Sequence, residues 1–173
     1  MFKNKLPVLL AAAVVAVALL PVNMQAQAEA AAVGQVVTKN GTYPTVQANP
    51  ANFTGSVRTE SLFRPHGASK TYAGSVTFEP GSRTNWHIHA TGQSLIVTGG
   101  YGYTQEWGQP MTVLQPGDIV WCPPGVKHWH GAGPTTAMTH IAISEASSKG
   151  VTWLEPVSDE QYSSIKEGSG KNV

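Results

Sequence analysis

Five of the six histidines of this chain lie between positions 87 and 140, on segments with the composition of β-strands. His87 and His89 are two residues apart, so in a strand both imidazoles point to one face and can bind one metal ion. Gln93 follows at the start of the next strand, where its amide oxygen could add a ligand, and His128 comes after Pro123-Pro124-Gly125. The pattern indicates a metal site. The alternative interpretation is a set of surface or core histidines with ordinary hydrogen bonds.

The segments that would position these histidines read as short strands from Asn52 onward. TYAGSVTF alternates, with Tyr72, Gly74, Val76 and Phe78 on one face. Glycine or proline punctuates almost every junction, and 18 glycines with 12 prolines suit turns better than helices. Such strands at even spacing predict an all-β sandwich or barrel. The other strand runs are FTGSVRTESLF, QSLIVT, YGYTQEW, MTVL, DIVWC and AMTHIAIS.

The first 30 residues have the pattern of a secretory signal peptide. Lys3 and Lys5 precede an apolar run from Leu6 to Leu20, and two Ala-x-Ala sites follow Pro21. The run is shorter than the roughly 20 residues that span a bilayer, so we expect cleavage rather than stable membrane insertion. The protein is therefore predicted to be exported, either periplasmic or secreted.

The remaining chain divides into three parts. Residues 31–50 have no periodicity and are predicted to form a flexible N-terminal arm, residues 51–165 one domain, and residues 166–173 a disordered tail. Ser158 to Gln161 is a capping box, which predicts a short C-terminal helix from Asp159 to about Ile165.

Charge and cysteine content exclude several classes of function. The formal net charge is +1, and Lys3 and Lys5 of the leader contribute to it, so nucleic acid and anionic membranes are poor partners. Cys122 is the only cysteine, so no internal disulfide can form. It ends the apolar run DIVWC and is predicted to be a packing residue, while His66, between Pro65 and Gly67, is assigned no role.

Two motifs in this sequence resemble those of the cupin family. The first family motif is a glycine, five residues, His-x-His, three or four residues, an acidic residue, six residues and a glycine. GSRTNWHIHATGQSLIVTGG places at those spacings Gly81, His87, His89, Gln93 and Gly100. The second motif is a glycine, five residues, Pro-x-Gly, two residues and a histidine. GDIVWCPPGVKH places there Gly117, Pro123, Gly125 and His128. The resemblance implies a single-domain jelly-roll barrel with a divalent metal inside its mouth.

The chain departs from the family pattern where Gln93 replaces the acidic ligand. Three neutral imidazoles and a neutral amide leave the metal with its full charge, which makes it a stronger Lewis acid than a carboxylate ligand would allow. Four protein ligands leave about two positions of an octahedron open, as in catalytic sites.

A narrower resemblance covers the chain from about Phe53 to Tyr162. The blocks KHWHG and PTTAMTH and the neutral Gln93 are similar to those of small bacterial manganese-dependent cupins of the hydroxynitrile lyase type. In that group a metal-bound cyanohydrin loses hydrogen cyanide to give an aldehyde, and the addition also runs in reverse. The resemblance implies Mn²⁺ and a general base at His140. In AMTHIAIS, His140 shares a face with Met138, Ala142 and Ser144, so it looks toward the metal if that face is the barrel interior.

The same resemblance implies a small-molecule pocket beside the metal. The residues expected to line it are Val76, Phe78, Thr84, Leu95 and Met138, with His130 and Ser144. His130 shares the parity of His128 and is either a second base or a neighbour of the metal, or else a loop histidine bonded to backbone. Ser144 stands where the group has a glutamine, and Gly74 where it has an alanine; both changes enlarge the pocket and point to a different substrate.

The sequence also allows two other functions. One is an oxygenase using iron or manganese, although the two-His-one-carboxylate set typical of oxygen-activating iron is absent. The other is a non-enzymatic metal or small-molecule binding protein. The metal itself could also be Fe, Zn, Ni or Co, since the usual affinity order places Zn²⁺ above Mn²⁺. Cupins often pair their barrels, and the arm could extend a neighbour's sheet, so a homo-oligomer is expected.

Overall fold

The computed structural model of the protein describes residues 34–164. The signal peptide predicted for residues 1–30 and the tail predicted for residues 166–173 lie outside the described residues. By its contacts the chain divides into residues 1–36 and residues 37–173, and every described strand and helix belongs to the second unit. Among the described residues, no helix has both the length and the apolar character needed to cross a bilayer.

Within residues 34–164 the chain forms thirteen strands and one short helix, which confirms the all-β prediction with a short C-terminal helix. The strands are β1 (Val46–Gln47), β2 (Phe53–Thr54), β3 (Val57–Phe63), β4 (Thr71–Phe78), β5 (Arg83–Thr84), β6 (His87–His89), β7 (Gln93–Gly100), β8 (Gly102–Glu106), β9 (Thr112–Leu114), β10 (Ile119–Cys122), β11 (His128–Ala132), β12 (Met138–Glu145) and β13 (Val151–Trp153). The helix is α1 (Asp159–Ser163).

The strands form two sheets that curl into a half-barrel. The first sheet has the order β1-β3-β4-β12-β7-β10, and every pairing in it is antiparallel. The second has the order β13-β6-β11-β5-β2, with β8 paired to β11 and β9 paired to β8. Neighbours such as β4 and β12 are far apart in sequence, so the sheet closes through long-range pairing, as in a jelly roll. β1 falls within residues 31–50, the predicted arm, and pairs with β3 at the edge of the first sheet.

The apolar core lies between the inner faces of the two sheets. Its fully buried members come from both sheets and are Val57, Phe78, Val97, Leu114, Ala132 and Met138. On β12 the inward positions are Met138, His140 and Ser144, and cross-strand pairing aligns them with Phe78, Val76 and Tyr72 of β4. Every second residue of β12 therefore faces inward, and these positions hold both apolar core residues and the polar site residues, as the strand periodicity predicted.

A second core covers the outer face of the second sheet and carries the helix. Trp86, which precedes β6, and Trp129, which lies between the two histidines of β11, pack there with Tyr103, Val157 and Tyr162. The helix begins at the predicted capping box, in which Ser158 and Gln161 bond reciprocally. The Tyr162 hydroxyl donates to the Ala132 carbonyl at 2.8 Å, which ties the helix to β11.

Candidate metal centre

Two neighbouring strands of the second sheet carry four histidines onto one face. His87 and His89 lie on β6, His128 and His130 lie on β11, and His87 pairs directly with His128 across the ladder. The ring centroids of His87 and His128 are 4.3 Å apart, and those of His87 and His89 are 5.1 Å apart. All four rings are buried. Antiparallel pairing of two His-x-His segments thus gathers them at one point.

Backbone carbonyls set the tautomers of two of these rings. Nδ1 of His87 donates to the carbonyl oxygen of Asn85 at 2.9 Å, and Nδ1 of His128 donates to that of Val126 at 3.0 Å. With the hydrogen fixed on Nδ1, the free lone pair of each ring is at Nε2. This is the arrangement found for histidines that ligate metals, where the second nitrogen is held by a carbonyl or carboxylate.

Several buried polar atoms at this place have no hydrogen-bond partner among the described residues. Around the two His-x-His segments and the start of β7 they are Nε2 of His89, Nε2 of His128 and Oε1 of Gln93. A buried acceptor without a partner costs about 1–3 kcal/mol, so native proteins rarely leave several together. Atoms of this kind fit a divalent cation, which would accept all three lone pairs.

One ring nitrogen from each of His87, His128 and His130 lies within 4.8 Å of the other two. This three-histidine group could hold a metal ion. It includes two of the four predicted ligands and adds His130, which was predicted to be a second base or a neighbour of the metal, or else a loop histidine. The full ligand set, with His89 and Gln93, stays a prediction.

Burial keeps the clustered rings neutral. The pKa of His89 is lowered to about 4, first by burial and then by His128, while hydrogen bonding between the His89 ring and the Gln93 side chain, longer than an ordinary bond, opposes the shift. Burial is also the main cause that lowers the pKa of His128 and holds the pKa of His87 well below its usual range. Neutral imidazoles are the form that binds metals, so these rings are ready to bind at neutral pH.

His140 reaches the cluster from the first sheet. It is fully buried on the inner face of β12, and its Nε2 lies 3.1 Å from Nδ1 of His130. Burial lowers the pKa of His140 to about 4, so the ring is uncharged at neutral pH. Nδ1 of His140 and Nε2 of His130 have no partner among the described residues. The sequence argument that His140 faces the interior of the barrel agrees with this position.

The hydrogen shared by His130 and His140 links their roles. If Nε2 of His140 donates, its Nδ1 keeps a lone pair that can accept a proton, and His130 carries its hydrogen on Nε2 and cannot ligate through that atom. If Nδ1 of His130 donates, His130 can ligate through Nε2, and His140 carries its hydrogen on Nδ1. A base at His140 Nδ1 and a ligand at His130 Nε2 are therefore mutually exclusive.

The residues predicted to line a substrate pocket surround these histidines and are almost all enclosed. Phe78 packs against His130 and His140, with ring centroids 5.7 and 5.5 Å away. Thr84 accepts a hydrogen bond from the backbone N–H of His130 at 3.2 Å, and Ser144 is the cross-strand partner of Gln93. Val76, Leu95 and Met138 lie on the same inner face. The structure gathers all of them near the cluster, and their role as a pocket stays a prediction.

Two clefts open at the surface near these elements. One, of about 220 Å³, reaches His128 from the side of β8 and β10. The other, of about 260 Å³, lies between Trp86 and Trp107 and contains none of the clustered histidines. None of the predicted pocket residues lines the first cleft.

Sequence reasoning missed two side chains beside the cluster. Trp153 of β13 packs against His87 with ring centroids 4.9 Å apart. Glu106, the cross-strand partner of His128, lies on the site's side of β8. Both depend on pairing between strands remote in sequence, and no local pattern marks either residue.

A protein-family model described as a cupin domain matches residues 74–143. The chain is 55% identical over 111 residues to the (R)-mandelonitrile lyase of Granulicella tundricola. The matched segment covers 64% of this chain and 85% of that protein. Among solved structures, a cupin-like protein of Thermotoga maritima is 44% identical with a TM-score of 0.67, covering 70% of this chain and 93% of that one. A cupin 2 conserved barrel domain protein of Rhodopseudomonas palustris, 17% identical with a TM-score of 0.57, covers 64% and 77% and shares the fold.

Proposed function

We propose that this chain, which belongs to the cupin family, is a metal-dependent lyase that cleaves or forms the carbon–carbon bond of cyanohydrins. The observation that carries the proposal is the set of buried, unpartnered ligand atoms on His89, Gln93 and His128 beside His87. The name of the Granulicella relative supports the reaction class.

The ligands in this proposal are His87, His89, Gln93 and His128. The alternative set that replaces His89 and Gln93 by His130 would leave the buried Nε2 of His89 and the buried Oε1 of Gln93 without a metal contact. A divalent cation bound there supplies Lewis-acid stabilisation of negative charge on a substrate oxygen. We propose Mn²⁺ on the family resemblance, with Fe, Zn, Ni and Co as the ions to compare.

His140 is the proposed general base. With its hydrogen on Nε2, directed at His130, the lone pair of Nδ1 accepts the hydroxyl proton of the cyanohydrin. As the carbonyl forms, the carbon–nitrile bond breaks and cyanide leaves with the electron pair. The His140 imidazolium then returns the proton to cyanide, which balances the reaction and restores the neutral ring.

The interior around His130 and His140 is apolar on one side, which suits an aryl or alkyl substituent. Phe78, Leu95 and Met138 are fully buried there, while Val76 is only partly buried. Thr84, His130 and Ser144 add polar groups to the same wall. We propose these seven residues as the substrate-binding set, and the small Ser144 and Gly74 as the reason for a substrate larger than those of the related enzymes.

Replacing His140 tests the proposal. His140→Ala should lower kcat for mandelonitrile cleavage by about 10²–10⁴-fold, the usual contribution of a general base, while the metal content stays unchanged. His66→Ala is the matched control, because His66 is exposed in a turn. An unchanged rate in His140→Ala would remove this residue from the mechanism. Absence of turnover by the wild-type protein with each of the five metals would leave a binding protein instead.

A further inference from the structure

The cleft that reaches His128 is formed by elements of both sheets. Its walls come from β8, β10 and the loops that follow them. The lining residues are Thr104, Gln105, Glu106, Gln109, Pro110, Thr112, Val120, Trp121, Cys122, Pro123, Val126 and His128. His128 lies in the wall of this cleft, and its buried Nε2 is one of the unpartnered ligand atoms, so the cleft borders the proposed metal centre.

Strand register places the Glu106 side chain on the site's side of β8. Glu106 pairs with His128 and Thr104 pairs with His130 across the β8–β11 ladder, and paired residues share a face of a sheet. Cys122 reaches the same cleft from the first sheet, where it pairs with Gln93. Glu106 thus faces the cleft beside one proposed ligand, and Cys122 of the first sheet lines the same cleft.

Glu106 is the only acidic residue lining this cleft, and no lysine or arginine lines it. Within residues 34–164 its carboxylate forms no hydrogen bond or ion pair, so its charge is not neutralised by another side chain. Its field reaches both walls, since it contributes to raising the pKa of Cys122, after burial, and opposes the lowering of the pKa of His128. A cleft with one uncompensated charge concentrates ligands of opposite sign.

We propose that Glu106 makes this cleft a cation-preferring approach to the metal centre, so that substrates with a positively charged substituent are favoured and anionic ones repelled. The part of this proposal that concerns substrate class rests on the proposed function. The discrimination arises mainly from repulsion, because a second negative charge would enter beside an unpaired carboxylate. Glu106 is in this sense a specificity residue, remote from the bond that breaks.

The charge of the cleft can be measured without any turnover, because Cys122 is the only cysteine of the chain and lines the same cleft. Trimethylammonium-ethyl and sulfonato-ethyl methanethiosulfonates are similar in size and opposite in charge. The ratio of their rates with the metal-loaded protein reports the local potential, and changes in thiol reactivity cancel in the ratio. Glu106→Gln should lower the cation-to-anion ratio by about fivefold or more.

Glu60→Gln is the matched control, since Glu60 lies on β3, four strands away from β10 in the first sheet. It should leave the ratio unchanged. Equal ratios in wild type and Glu106→Gln would overturn the proposal. If Cys122, which is 4% exposed, reacts with neither reagent, calorimetric dissociation constants for benzylammonium and benzoate supply the ratio instead. Direct attraction of the benzoate carboxylate to the metal is the same in both proteins, so it cancels when the ratio of the variant is compared with that of the wild type.

A second experiment separates this inference from the proposed function. For mandelonitriles with a para aminomethyl or a para carboxylate group, Glu106→Gln should lower the cation-to-anion ratio of kcat/KM by about fivefold or more. A changed thiol ratio without any cyanohydrin turnover would contradict the lyase and uphold the charged approach. Cyanohydrin turnover with both the thiol ratio and the kcat/KM ratio unchanged in Glu106→Gln would support the lyase and contradict the charged approach.

Discussion

Neutral histidines crowded in a small volume are the chemical centre of this protein. Nδ1 of His87 and Nδ1 of His128 are committed to backbone carbonyls, while Nε2 of His89 and Nε2 of His128 have no partner within residues 34–164. Without a cation, these acceptors and the amide oxygen of Gln93 would be a net cost to folding. Binding of a metal to the folded state alone therefore stabilises the protein by mass action.

The buried ring of His140 predicts a loss of stability in acid. Its folded-state pKa of about 4 lies below the ordinary value of 6.5, so unfolding takes up a proton as the pH falls from about 6.5 to about 4. In metal-free protein this single group should cost about 2 kcal/mol of unfolding free energy between about pH 7.5 and about pH 5. His140→Gln should remove that part of the loss, which urea titrations at the two pH values measure.

His66→Ala provides the comparison for this experiment, because its ring is exposed. It should keep the full acid sensitivity of the wild type. Identical pH dependence in wild type and His140→Gln would show that His140 titrates normally in the folded protein.

At the scale of strands, the site depends on close approach between β11 and β5. A Cβ added to Gly131 would lie 2.5 Å from the Ser82 carbonyl oxygen and 2.6 Å from Cβ of Arg83. Gly131 is adjacent to His130, so the backbone that carries the histidines cannot move apart without disturbing the cluster. The glycine is required here by packing, since its backbone conformation is an ordinary one.

Gly131→Ala should therefore destabilise the protein by about 1–3 kcal/mol and weaken metal binding, because overpacking displaces β11. Gly99→Ala is the control, since a Cβ at Gly99 meets nothing within 4 Å. Denaturant titration with and without metal measures both effects. Equal stability of the two variants would contradict the packing argument.

Strand alternation allowed much of this arrangement to be predicted. His-x-His spacing placed His87 with His89, and the pattern of AMTHIAIS placed His140 inward, because both follow from the period of two in a strand. The capping box predicted the start of α1 for an equally local reason. The contact between His130 and His140, and the position of Glu106, could not be predicted, because they arise from register between strands distant in sequence.

For the whole molecule, the exposed face of the first sheet bears on assembly. Ile119 and Trp121 of β10 are 71% and 57% exposed. Across the sheet Ile119 pairs with Ile96 of β7, and Ile96 pairs with Ile141 of β12, so the three isoleucines lie in a row. Large exposed apolar side chains in a row are typical of contact surfaces. The homo-oligomer predicted from the sequence remains a prediction, as does export through the leader, and this face is where we propose that copies meet.

Ile119→Glu should shift the protein toward the monomer, because a charge placed in an apolar contact must be desolvated. Val113→Glu is the control: Val113 is 37% exposed on β9 of the other sheet. Light scattering coupled to size exclusion gives the mass of each variant. A wild-type protein that is already monomeric would contradict this assignment.

The metal content of purified variants tests the central claim most directly. Elemental analysis should find one divalent ion per chain in the wild type and in His130→Ala, and a large loss in His89→Ala, Gln93→Ala and His128→Ala. That result would establish Nε2 of His89 and Oε1 of Gln93 as ligands and leave Nδ1 of His140 free to act as the base. Loss of the ion in His130→Ala, with His89→Ala and Gln93→Ala still loaded, would contradict the proposed ligand set and assign the site to His87, His128 and His130.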